Sequence, residues 1–194
     1  NHLGAKTLPL IPNRNNDGYG LNEDMIDLIY NNNIKLIITV DNGVSAEKAI
    51  KKAIAYKIDL IITDHHKIPA NFPKVYSLIH PLNTPAKSPY RYLAGVGLAY
   101  LIAKELVSKN NDSSDFKPLL ELFCIGTIAD MAPLIGANRN WLKTGLKDFN
   151  NSESLAIREI LTIMGIGKKE IDSEDIGFKI APLINAVGRI GNPD

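Results

Sequence analysis

The segment Ile34–His66, IKLIITVDNGVSAEKAIKKAIAYKIDLIITDHH, leaves the chain few choices of fold. Its two runs of apolar and β-branched residues, Ile34–Val40 and Ile58–Thr63, each end on an aspartate. The first run is nearly all apolar, the pattern of a strand covered on both faces in a parallel sheet. Between the runs, Ala46, Ala49, Ile50, Ala53 and Ile54 recur at helical spacing and form one apolar face. Strand, helix and strand then make a right-handed crossover unit. Ligands of open parallel sheets sit outside the carboxyl ends of the strands. The first strand delivers Asp41 to that edge, and the second delivers Asp64, His65 and His66.

The rest of the chain extends this unit. Lys6–Ile11 reads as a short strand, confined to an edge by Pro9, and Pro12–Gly20 as an Asn- and Gly-rich loop. Asn22 caps a helix over Glu23–Tyr30, and Ser45 is the expected cap of the crossover helix, with Lys51, Lys52 and Lys57 on its solvent side. Val75–Ile79 is a third strand, ending at His80-Pro81. Beyond it the patterns are helical over Leu93–Val107, Phe116–Met131, Asn138–Phe149 and Glu153–Met164. Ser173 is the expected cap of a last helix, Glu174–Ile184, which leads into Asn185–Arg189. The fold class is α/β: a parallel sheet of three or four strands flanked by helices, followed by a helical segment. A boundary is expected near Asn150, dividing residues 1–150 from a helical connector over 151–194.

Bulk properties narrow the function by exclusion. A net charge of +1 advertises no overall field for nucleic acid. No apolar run approaches a membrane span. The single cysteine, Cys124, excludes a disulfide within the chain and sits in the apolar run LLELFCIGTIA as a buried thiol. A reducing compartment, and hence a cytoplasmic location, is the expectation. There is no P-loop, no G-x-G-x-x-G, no G-x-S-x-G elbow and no CxxC pair, which removes nucleoside-triphosphate, dinucleotide, serine-hydrolase and zinc-finger readings. The start at Asn1 and the end at GNPD lead us to expect a piece of something longer.

Several residues could carry chemistry. Asp64-His65-His66 could be a polar loop after a strand. Two imidazoles beside an acid, with Asp41 at the neighbouring strand end, favour a metal centre instead. Mixed imidazole and carboxylate suits Mn²⁺, Zn²⁺ or Fe²⁺, whereas carboxylates alone suit Mg²⁺. Asp64 could hold a histidine nitrogen rather than bind the ion itself. Asp41 alone, in Asp-Asn-Gly, would be a turn residue. Asp130, in GTIADMAPL, is a lone acid on an apolar helix; it either pairs with Arg139 or a backbone N–H, or faces a cation. His80 most commonly would bond a backbone carbonyl. Gly95 and Gly97 interrupt an apolar helix, either for close helix packing or for close approach of a phosphate or a metal-bearing loop. Asn185 and Arg189 could share one helical face, where Arg189 either holds phosphate or is simply solvated.

With these residues in view, VDNGVSA (Val40–Ala46) and TDHH (Thr63–His66) resemble the signature motifs of the DHH phosphoesterases. HPLN (His80–Asn83), LAGVGLAY (Leu93–Tyr100), GTIADMAPL (Gly126–Leu134) and INAVGRIG (Ile184–Gly191) narrow the resemblance to the RecJ-type single-strand DNA exonucleases, over nearly the whole chain from Ile11. The resemblance implies 5′→3′ removal of nucleotides from single-stranded DNA with Mn²⁺ or Mg²⁺, two ions in the full-length enzyme, in DNA repair and recombination. It makes Asp41, His65 and Asp130 metal ligands, His66 a ligand or phosphate contact, and Asp64 a support to them in catalysis. It gives His80, Asn185 and Arg189 to the substrate side. Single-stranded DNA is the implied partner, with a single-strand-binding protein or a helicase as a further one, and no membrane.

The family's aspartate-rich D-x-D-G motif should lie further upstream than this chain reaches. Residues 1–150 would then be a DHH domain without its N-terminal part, and the isolated piece is expected to bind metal poorly and to be nearly inactive. Leu183 stands where the family often has Arg. The rival readings are another DHH enzyme (an oligoribonuclease, a nucleoside-bisphosphate phosphatase or a pyrophosphatase) and a non-catalytic binding subunit.

Overall fold

Asn22 begins the first helix as its sequence suggests: its side chain accepts the Met25 N–H at 2.9 Å, and Glu23 and Asp24 sit favourably in the first turn. The structure, a computed structural model, describes residues 3–12, 20–110, 116–147, 149–166 and 170–190, the last four as backbone only. Helix α1 (Glu23–Asn31) is followed by strand β1 (Leu36–Ile38), helix α2 (Glu47–Ala55), strand β2 (Asp59–Thr63) and strand β3 (Ser77–Ile79). The strands form one parallel sheet in the order β1-β2-β3, with Leu36 opposite Asp59 and Ile61 opposite Ser77. Helices α3 (Gly95–Lys109), α4 (Lys117–Ala129), α5 (Gly136–Leu146) and α6 (Leu155–Ile163) follow. The chain then passes through one helical turn, α7 (Ser173–Asp175), and a π-helical turn, Ile176–Ile180, into α8 (Ala181–Ile190).

Two apolar cores stabilise these layers. One gathers Ile26 and Ile29 of α1, Ala49, Ile50 and Ala53 of α2, and Ile37, Leu60 and Ile62 of the sheet. The other lies in the helical half around Phe123, Cys124, Phe149, Ile176 and Ile180. It crosses position 150, where buried Glu121 of α4 accepts the Ser152 hydroxyl at 2.6 Å. Each buried aliphatic or aromatic side chain contributes on the order of 2 kcal/mol of transfer free energy.

The structure corrects several expectations. Lys6–Ile11 forms no strand. The first strand is shorter than Ile34–Val40, and among the described residues only one of its faces is covered: Ile37 is buried, whereas Leu36, Ile38 and Val40 are about half exposed. The helices of this unit pack on one side, and a continuous apolar run cannot say how many sides will be covered. Ser45 lies in the turn before α2, whose cap is Ala46, without a side-chain bond. Lys52 is not free in solvent but pairs with Asp27 at 2.7 Å. The last helix is capped by Asp172, which accepts from Glu174 and Asp175 N–H, and not by Ser173. Helix α5 starts at Gly136, two residues before Asn138, because the buried Asn138 amide is spent on the Tyr92 and Pro133 carbonyls within the helix's first turns.

Candidate metal centre

The site is assembled by the ends of β1 and β2. Pairing continues past both strands: Thr39 N–H donates to Ile61 O and Asp41 N–H to Thr63 O, each at 3.0 Å. Two threonines lock this extension, since Thr63 Oγ1 donates to Thr39 O at 2.6 Å and Thr39 Oγ1 accepts Thr63 N–H at 3.2 Å. The chain then breaks sharply at Asp41, which adopts φ of 64°. Aspartate is one of the few side chains that tolerate this left-handed conformation, and such strain gathers at functional sites.

Asp64 is 1% exposed and fully engaged. Its Oδ2 accepts Val44 N–H at 3.0 Å, and its Oδ1 accepts His65 and His66 N–H at 2.8 and 3.1 Å. The same Oδ1 lies 2.7 Å from His66 Nδ1. Burial alone would raise this carboxyl, but the Val44, His66 and His65 N–H donors and the His66 ring together hold it below its ordinary value. Asp64 therefore fastens the two crossover turns together and fixes the His66 ring with Nε2 turned away. His80 is also buried: its Nε2 lies 2.8 Å from His66 O, and its Nδ1 accepts Leu82 N–H at 3.1 Å. With both nitrogens committed to backbone, His80 holds the His66 turn from behind.

What is left open is the space between Asp41, His65 and Asp130. His65 Nε2 lies 3.0 Å from Asp41 Oδ1 and 3.8 Å from Asp130 Oδ2. The 3.0 Å approach pairs the charges but is not aligned as a hydrogen bond, so both buried atoms lack a hydrogen-bond partner. One donor atom each from Asp41, His65 and His66 fall within 4.8 Å of one another. Buried nitrogen and oxygen lone pairs converging on one point fit a divalent cation of the Mn²⁺ type. The Asp41 contact holds the His65 imidazolium above its usual range against the opposing effect of burial, with Asp130 adding to it. Burial pushes the Asp130 carboxyl up, His65 works against that, and Asp41 adds to it.

Helix α3 closes the site from one side. A Cβ on Gly95 would collide with the Asp41 carboxylate and its Cβ, so only glycine lets the helix start against this turn. Gly97 instead packs on Leu93 and Phe123, the ordinary reason for a helical glycine. Asp130 arrives as the C-cap of α4.

Asp41, His65 and Asp130 thus come together, with His66 beside them and Asp64 and His80 behind. Asn185 is exposed on α8 in a groove with Ile128 and Met131, whose lining includes no residue of the cluster. The side chain of Arg189 lies outside the described residues. Leu183 is on α8, partly exposed. Residue type alone does not mark Thr39 and Thr63 as part of the site; their signal is two threonines shortly before Asp41 and Asp64 at the ends of adjacent strands.

Residues 1–127 match the family model "DHH family, N-terminal domain", and the chain belongs to that family. Within it, the chain is similar to the single-stranded-DNA-specific exonuclease RecJ of Bacillus subtilis, 39% identical over 192 residues, which cover 99% of this chain and 24% of that protein. A crystal structure of exonuclease RecJ bound to manganese superposes with a TM-score of 0.85 at 30% identity, covering 98% of this chain and 48% of that one. RecJ of Thermus thermophilus in complex with Mg²⁺ gives 0.57 at 28% identity, over 80% of this chain and 21% of that one. The chain spans about a quarter of the Bacillus subtilis protein's length.

Proposed function

We propose that this chain carries the metal-binding part of a 5′→3′ exonuclease acting on single-stranded DNA, of the RecJ type, serving DNA repair and recombination in the cytoplasm. The observation that carries the reading is the pair of buried, unpartnered atoms, Asp41 Oδ1 and His65 Nε2, held face to face beside Asp130. Neither atom has an aligned hydrogen bond, and a cation between them would use both lone pairs in place of the Asp41–His65 attraction. The likeness to RecJ over 99% of the chain supports the choice of substrate.

Asp41, His65 and Asp130 hold the ion, Mn²⁺ or Mg²⁺, and His66 takes a ligand or phosphate position through its outward nitrogen. Bound there, a divalent ion would lower the pKa of a water and neutralise charge on the phosphate oxygens. Asp64 fixes the orientation of His66 and, through its N–H acceptors, the turn that presents His65. His80 supports that turn from below. Asn185 and Arg189 belong to the DNA path further out. A single-strand-binding protein or a helicase is the expected companion.

The test is degradation of a 3′-labelled single-stranded oligonucleotide by the protein that carries this chain, with Mn²⁺ present. Mn²⁺-dependent shortening from the 5′ end is expected, abolished by His65→Ala with an unchanged circular-dichroism spectrum. Activity retained in His65→Ala, or equal activity on pyrophosphate and short RNA, would overturn the reading.

A further inference from the structure

Beside the metal centre, α4, α7, the π-helical turn and α8 line an open groove of about 730 Å³ that no residue of the metal cluster lines. Two of its exposed lining residues are large and apolar: Met131 is 89% and Phe178 81% exposed. Both are held out by irregular backbone. Met131 follows the α4 cap with φ of 52°, its N–H donating to Ile128 O and that of Ala132 to Thr127 O. That is a Schellman ending whose left-handed position usually holds glycine. Phe178 is the middle residue of the π-helical turn Ile176–Ile180, and π turns cluster at functional sites.

From this we infer that Phe178 and Met131 form a platform for a nucleobase of the DNA strand, next to the nucleotide whose phosphate lies at the metal centre. The inference rests on the function proposed above and deepens it. Continuity carries the first part of the argument, because Ala129 and Met131 line the groove and flank Asp130 in the chain. Charge carries the second. No described lining residue is a cation, and the one charged residue is Glu174, so the groove suits the uncharged base and repels a phosphate. Asn185 at the groove supplies an amide that can bond a base edge. Stacking on an aromatic ring tolerates any sequence, as single-strand binding without base preference requires.

The experiment is fluorescence anisotropy of the protein with a labelled oligodeoxythymidine and with an abasic strand of equal length, in EDTA to prevent cleavage. Phe178→Ala is expected to weaken binding of the oligothymidine on the order of tenfold and to leave the abasic strand unaffected. Phe178→Trp should retain tight binding. Since Phe178 is exposed, neither variant should lower the melting temperature. Equal loss on both strands, or no loss on either, would overturn the platform, as would a melting temperature changed by Phe178→Ala, which marks a groove filled by protein. If the wild-type protein binds neither strand and cleaves none, the function proposed above fails instead.

Discussion

Among the described glycines, Gly95 has the closest neighbour, the Asp41 carboxylate. Because a methyl at Gly95 would meet both the Asp41 Cβ and carboxylate, Gly95→Ala must displace the carboxylate or the start of α3. Mn²⁺ affinity, measured by titration, should fall by about tenfold to a hundredfold, the usual loss when support of a ligand is removed. Gly97→Ala is the control. Its Cβ would lie 2.9 Å from Leu93, so it should cost stability by overpacking, about 1–3 kcal/mol, without changing Mn²⁺ affinity. Cys124 gives an independent check on the helical core. Burial pushes its thiol up to about 12, so Ellman's reagent should leave the native protein unmodified at neutral pH and react fully in denaturant. Rapid native labelling would contradict the core as described. That Asp41, His65 and His66 gather at one sheet edge was legible in the sequence from residue type and strand-end position, whereas Asp130, at a helix end, was joined to them only by the resemblance. The strained φ of Asp41 was not, because Asp-Asn-Gly fits several turns, and neither was the engagement of Asp64 by three backbone donors.

At the scale of elements, β1 and β2 act as one carrier. Their paired ends, tied by Thr39 and Thr63, bring Asp41 and Asp64 out on neighbouring turns. The strand–helix–strand unit and the order of the later helices could be read from apolar periodicity. Caps could not, because adjacent polar residues compete for one role. Ser173 and Asp172 show this: either could accept from the first turn, and the carboxylate takes both N–H groups. Asp172→Ala should therefore cost about 1 kcal/mol in chemical denaturation, whereas Ser173→Ala should be nearly neutral. The reverse order would place the cap back on Ser173. The bare face of β1 was equally unreadable, since apolar runs look alike whether one side is covered or two.

For the whole molecule, the metal centre couples ion binding to pH. His65 is held above its unfolded value, so in the metal-free protein its contribution to stability is complete below about pH 6.5 and is lost as pH rises through the folded value. Asp64 is held below its unfolded value, so its contribution is present above about pH 4 and is lost as pH falls through the folded value. An ion held by His65 would have to displace its proton, so the rise in melting temperature that Mn²⁺ produces should grow between about pH 6 and about pH 8. A shift independent of pH would exclude His65 as a ligand. The central claim is that Asp41, His65 and Asp130 hold one divalent cation between them. Its most direct test is a Mn²⁺ titration at about pH 8, followed by the electron paramagnetic resonance of the free ion, on the wild type and on Asp41→Asn, His65→Ala and Asp130→Asn. Saturable binding is expected, weakened by at least about tenfold in each substitution. Wild-type affinity retained in the three variants would contradict the claim.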